Sequence, residues 1–167
     1  MKPDAQGPLR KIEGRSTGLM AQGFDEYKMG KRRQARALTV QVLFHLEFNP
    51  GDPEQGFDLI RENFDSPMEI RDFARHLVLG IWTKRDELDR LISRSSRNWR
   101  LERMSLVDRN VLRLGAFEML FMKDIPPKVS IDEAVELGKK FGSEESGAFI
   151  NGVLDNIYNQ LKREGAI

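Results

Sequence analysis

The chain has 167 residues, 40% apolar and 32% charged, which is long enough to bury one core and too charged for a membrane-embedded protein. It holds no cysteine and only two histidines, His45 and His76, which excludes disulfides, thiolate zinc sites, iron–sulfur clusters and a cysteine nucleophile. The net charge of +1 divides unevenly: residues 1–36 carry nine Lys/Arg against four Asp/Glu, while residues 37–167 carry eighteen against twenty-two, so a basic end suited to an anionic partner sits on a mildly acidic body.

Residues 1–29 contain four glycines with Pro3 and Pro8 and no sustained apolar period, and read as a disordered tail. Ile12-Glu13-Gly14-Arg15 also spells a protease-cleavage sequence used in recombinant expression, which leaves Met20 and Met29 as alternative natural starts. The polar N-terminus has no secretory leader, and no apolar run nears the ~18 residues of a membrane span, so the expected location is the cytoplasm, away from membranes. The folded domain is expected over residues 30–164.

From Gly30 onward the periods are helical, without strand alternation. A first helix runs from about Lys31 to Phe48 and stops at Asn49-Pro50-Gly51. A short second one follows Asp52-Pro53, an N-cap with proline at the first helical position. A long third helix begins after Ser66-Pro67, its stripe of Ile70, Phe73, Ala74, Leu77, Ile81, Leu88, Leu91 and Ile92 keeping helical spacing for over six turns. Asn98-Trp99-Arg100 interrupts the pattern. The next helix opens at Ser105 with Asp108 placed for a reciprocal cap, and its nearly continuous apolarity puts it at the centre of the fold. Pro126-Pro127 ends that segment, and Ser130-Ile131-Asp132-Glu133 reads as a capping box for a helix to Phe141. The last helix, about Ser146 to Arg163, buries Ile150, Val153, Leu154, Ile157 and Leu161. Within it, Gly152 reads as a close helix-packing contact, and Trp82 and Trp99 elsewhere as core or margin residues. The expected fold is an all-α compact bundle of six or seven helices.

The strongest local anomaly is Lys31-Arg32-Arg33-Gln34-Ala35-Arg36. A helix N-terminus carries about half a positive charge, so four bases there, with no acid before Glu47, oppose helix stability. Either the run is a solvated charged face, or the helix end and its side chains together attract phosphate. At 100° per residue, Ala35, Leu38, Val42 and Leu46 share one face, and Val40, Phe44 and Phe48 fall roughly opposite, beside Arg33 and Arg36. That second face is either an exposed aromatic stripe or a second buried side. Phe149 points about 95° from the centre of the last helix's apolar face, as a margin residue or as an aromatic available for base stacking. Catalytic signatures are absent: Gly138-Lys139-Lys140 lacks the rest of a phosphate-binding loop, and no metal or cofactor motif occurs. The sequence reads as a binding protein and not an enzyme.

Several separated segments resemble one family. Arg32-Arg33-Gln34-Ala35-Arg36 followed by Gln41-Val42-Leu43-Phe44 is similar to the arginine-rich first helix of the bacterial antitermination factors called NusB. Asn98 to Arg103, Val107-Asp108-Arg109 and Val111-Leu112-Arg113 resemble the central segment of that family. Ile131 to Leu137 and Phe149 to Asp155 resemble its C-terminal signatures, so the likeness covers about residues 29–162. It implies a NusB-like helical fold and a factor that binds boxA RNA of ribosomal RNA transcripts together with the ribosomal protein NusE, joining NusA, NusG and RNA polymerase. It also places Arg32, Arg33 and Arg36, with Lys31 adjoining, and Phe149 at the RNA surface, and Phe44 and Asp108 facing NusE. Gln34 departs from an arginine run found in some members, and Phe44 replaces a frequent tyrosine.

Two further readings compete. The same module occurs fused to ribosomal RNA cytosine methyltransferases, of which this chain would be a fragment. A generic helical adaptor, or a membrane-surface binder using the first helix, is the other.

Overall fold

In a computed structural model, which describes residues 30–64 and 66–167, the chain forms seven α-helices and one short 3-10 turn, with no strand among the described residues. The helices are α1 (Lys31–Phe48), α2 (Pro53–Arg61), α3 (Met68–Thr83), α4 (Arg85–Ser95), α5 (Leu106–Phe121), α6 (Pro127–Phe141) and α7 (Ser146–Arg163), with the 3-10 turn at Leu101–Arg103. The expected tail and its alternative starts lie outside the described residues. No helix is long and apolar enough to cross a membrane among the described residues.

The helix ends follow local chemistry where that chemistry is strong. Asp52 accepts a hydrogen bond from the Glu54 amide at 3.0 Å and Pro53 takes the first helical position, so α2 begins where a proline without an N–H costs nothing. The Ser105 hydroxyl accepts from the Asp108 amide at 3.1 Å, which starts α5. The return half of that cap is not made: Asp108 Oδ1 is buried without a hydrogen-bond partner among the described residues.

α5 is the axis of the fold. Residues 110–119 are buried without a break, and α1, α3, α4, α6 and α7 all pack on it. Gly115 leaves room on one side for Leu154 of α7: a Cβ there would lie 2.7 Å from Leu154 Cδ1, so an alanine would force that side chain to shift. The main core gathers Leu112, Leu114, Leu137, Ile150, Leu154 and Ile157, and a smaller core joins Leu38, Val42 and Leu46 of α1 to Phe57 of α2 and Ile70, Ala74 and Val78 of α3.

α1 therefore serves two cores. Its Ala35–Leu46 face lines the smaller one, while Ala37, Val40 and Leu43 enter the main one. The second face of α1 is thus a buried side at Val40 and opens only near its C-terminal end, where Phe44 is half-buried and Phe48 is 58% exposed.

Three local expectations are corrected. The long third helix is two helices: the chain breaks at Lys84, whose φ of −96° and ψ of 10° lie between the helical and extended regions. The apolar stripe runs through the break because Ile81 and Leu88 are seven residues apart, a spacing that a straight helix also keeps. Asp86 and Glu87 in the first turn of α4 were the available signal of a new helix start. Next, α6 begins at Pro127, not at Ser130: Ser130 is buried in its first turn and caps nothing, and Glu133 is engaged elsewhere. Finally, Gly152 is no packing contact; a Cβ there meets nothing within 4 Å, and the residue is exposed.

Candidate nucleic-acid and partner interface

The start of α1 has no side-chain cap and no acid in its first turn. Its compensating acids arrive from three other helices. Lys31 Nζ lies 2.9 Å from Glu69 of α3, an exposed pair of little energetic weight. Arg33 makes a two-pronged contact with Glu133 of α6, Nε to Oε2 at 2.9 Å and Nη2 to Oε1 at 2.8 Å. Arg36, only 4% exposed, places Nε 2.7 Å from Glu118 Oε1 of α5, with Nη1 3.7 Å from Glu133 Oε2. The basic run is thereby fastened to the central helix, and acids that its own turn lacks are supplied across the fold.

The carboxylates respond to their surroundings. Burial pushes Glu118 above the ordinary carboxylate range, with the Arg36 charge and hydrogen bond pulling against it. Glu133 is held below that range, first by the hydrogen bond from Arg33.

The expected RNA-facing set is therefore split. Lys31 and Arg32 are exposed, and Arg33 keeps 41% of its side chain accessible. Arg32 has no carboxylate partner among the described residues; its guanidinium lies 4.0 Å over the Phe73 ring, a cation–π contact that orients the charge without neutralising it. The expectation of an exposed Arg36 is corrected: its guanidinium is an internal ion-pair partner. Phe149 is half-buried, resting on the main core, and meets Trp99 edge-to-face with centroids 5.8 Å apart and 70° between planes. Trp99 is 55% exposed, so it is neither core nor covered margin. The signal was the Asn98-Trp99-Arg100 break in helical period, which puts Trp99 on a loop.

The other end of α1 builds a second surface. Phe44 and Phe48 stack edge-to-face at 5.2 Å, Phe44 half-buried and Phe48 open. Beside them Glu47 accepts from Arg113 Nη1 of α5 at 2.6 Å, and Arg113 also clasps Asp89 of α4 at 2.7 and 2.9 Å. Burial lowers the pKa of Arg113, but Asp89 and Glu47 more than offset it, and it stays raised. This three-helix clamp was not anticipated, because its members lie far apart in sequence. It fixes the C-terminal end of α1 against the N-terminal half of α5, where half-buried Asp108 stands with an unpartnered oxygen. Phe44 and Asp108 thus belong to one end of the α1–α5 pair, and the arginines to the other.

The fold and these surfaces define an all-helical module with a basic helix start and an aromatic helix end docked on one buried central helix. Residues 33–159 match the model of the NusB family. The chain is 48% identical over 136 residues to a transcription antitermination protein NusB of Desulfatibacillum aliphaticivorans, covering 81% of this chain and 95% of that protein. Among solved structures it is similar to NusB of T. maritima, with 43% identity, a TM-score of 0.70, and 80% and 93% of the two chains covered. It is also similar, at 30% identity and a TM-score of 0.70, to a chain in a crystal structure of the antitermination factors NusB and NusE in complex with double-stranded RNA, with 78% and 97% covered. The chain belongs to the NusB family.

Proposed function

We propose that this chain is a transcription antitermination factor of the cytoplasm, a binding protein and not an enzyme. It takes boxA-type single-stranded RNA on Lys31, Arg32, Arg33 and Phe149, and a NusE-like ribosomal protein on Phe44 and Asp108. The resulting complex joins NusA, NusG and RNA polymerase. The observation that carries the RNA half is Arg32: an exposed guanidinium on a helix start, oriented by Phe73 and left uncompensated by any carboxylate among the described residues. The partner half is supported by Phe48 and Phe44, an aromatic pair that emerges from the core at the end of α1, at the same end of the α1–α5 pair as Asp108, whose Oδ1 has no partner among the described residues. Arg36, being internal, acts in this reading by holding α1 in place.

Titration of the protein with a boxA-bearing single-stranded RNA, with and without the partner, tests both halves. Three phosphate contacts imply a log–log salt slope of roughly −2, and the partner should tighten binding. A slope near zero, or equal affinity for random duplex DNA, removes the RNA reading. Failure of the partner to bind, with RNA binding intact, removes the other half.

A further inference from the structure

Trp99 stands on a loop that the fold holds still. The Ser96 hydroxyl, on a buried residue, lies 2.8 Å from the Ile92 carbonyl and 3.2 Å from that of Trp99, and the Trp99 amide donates to the Ser96 carbonyl at 3.1 Å. On the far side Leu101 packs on the main core and Met104 is buried. The end of α4 is also tied to α7, where Asn156 Nδ2 donates to the Ser95 carbonyl at 3.2 Å and Ser95 Oγ lies 3.1 Å from Gln160 Oε1. Trp99 and Phe149 therefore share one rigid frame, and the exposure of the indole is built in.

The charges around the indole have one sign in excess. Arg97, Arg100 and Arg103 are exposed, make no ion pair among the described residues, and share the 97–103 stretch with a single acid, Glu102. Arg61 and Arg75 are engaged with Asp58 and Glu54 and Arg85 lies over the Trp82 ring at 3.9 Å, whereas Arg90, Arg94 and Arg163 are, like the loop arginines, exposed and without an ion pair among the described residues. Glu144 and Glu145, exposed at the start of α7 one turn before Phe149, disfavour phosphate there, whereas the 97–103 loop favours it. The basic start of α1 and the start of α7 both pack on α6. Arg33 meets α6 at Glu133, and Ile150, the neighbour of Phe149, packs at Gly138, five residues along α6 or about 8 Å of helix rise.

We propose, on the RNA-binding reading above, that single-stranded RNA runs past Phe149 onto Trp99, which stacks a base while Arg97, Arg100 and Arg103 hold the flanking phosphates. An indole face accepts any base, and the edge-to-face contact with Phe149 makes a two-ring step on which neighbouring bases rest. The positive loop complements the strand that an apolar protein surface would not need.

The chain has two tryptophans, so Trp82→Phe leaves Trp99 as the single indole reporter. Titrating that protein with a boxA-bearing single-stranded RNA should quench Trp99 emission with the midpoint of RNA binding. Trp99→Ala should weaken RNA binding about five- to hundredfold at unchanged melting temperature, and Trp99→Phe should retain most of the affinity. With these three contacts added to the three of α1 the wild-type salt slope should steepen to roughly −4, and replacing Arg97, Arg100 and Arg103 by alanine should return it to about −2. The proposal is overturned if RNA binds in a manner that needs Arg32 and Arg33 while Trp99 emission and the affinity of Trp99→Ala stay as in the wild type. It is equally overturned if Trp99 emission responds to the NusE-like partner and not to RNA. A wild-type protein that binds no RNA removes the RNA reading and this inference together.

Discussion

Arg36 and Glu118 form a buried ion pair across the bundle, Nε to Oε1 at 2.7 Å, joining the basic start of α1 to the central helix α5. The pair separates two arginines that look alike in sequence. Arg32 faces solvent over Phe73, and Arg36 is part of the interior.

Arg36→Ala should destabilise the fold by about 3–5 kcal/mol, because it strands the Glu118 charge in the core. Arg32→Ala should leave the chemical denaturation midpoint within about 0.5 kcal/mol of wild type and weaken RNA binding in a salt-dependent way. Denaturation curves of the two variants check the contrast. Comparable stability in both would mean that the Arg36–Glu118 pair contributes little.

The Glu133 carboxyl is held below its ordinary value of 4.5 by Arg33, so its folded pKa lies under its unfolded one. A depressed carboxylate contributes stability that is present above the unfolded pKa and lost as pH falls through the folded pKa. The stability difference between wild type and Glu133→Gln should therefore be full at neutral pH and shrink below 4.5. Denaturation of both proteins between about pH 3 and pH 7 measures it. Glu118 responds with the opposite sign: its raised pKa favours the fold at acid pH, a contribution lost as pH rises through the folded value. A difference that stays constant across the range would remove the role given to the Arg33–Glu133 contact.

Phe44 and Phe48 should part company on truncation. Phe48→Ala removes an exposed ring and should shift the melting temperature little while weakening partner binding. Phe44→Ala opens the margin of the main core and should cost about 1–3 kcal/mol, short of the ~3–5 kcal/mol of a fully buried phenylalanine. Melting curves with a partner titration separate the terms. Partner affinity unchanged in both variants would withdraw this end of α1 as the docking surface.

Gly152 has open space around it in the middle of α7, and its replacement by alanine lets the helix gain propensity without a clash. Gly152→Ala should raise stability by about 0.4–1 kcal/mol. A destabilised variant would mean that α7 is more crowded there than its geometry indicates. Reduced RNA or partner binding in a stabilised variant would show that a ligand uses the missing side chain for close approach.

Several elements were legible before any contact was known. Asp52-Pro53 and Ser105 act on amides two and three residues away, and the all-round apolarity of residues 107–121 could belong only to a central helix. The anion-seeking character of Lys31–Arg36 was equally plain, since it rests on charge density along one turn. What the tertiary structure decided was which members of that run remain available. The carboxylates that take up Arg33 and Arg36 come from positions 100 and 82 residues away, and no local pattern reports them. The second face of α1, the break at Lys84, the exposure of Trp99 and the open space at Gly152 were settled in the same way. Helical periodicity states which residues share a face, but burial depends on what other helices place against that face, and that is a property of the packed chain.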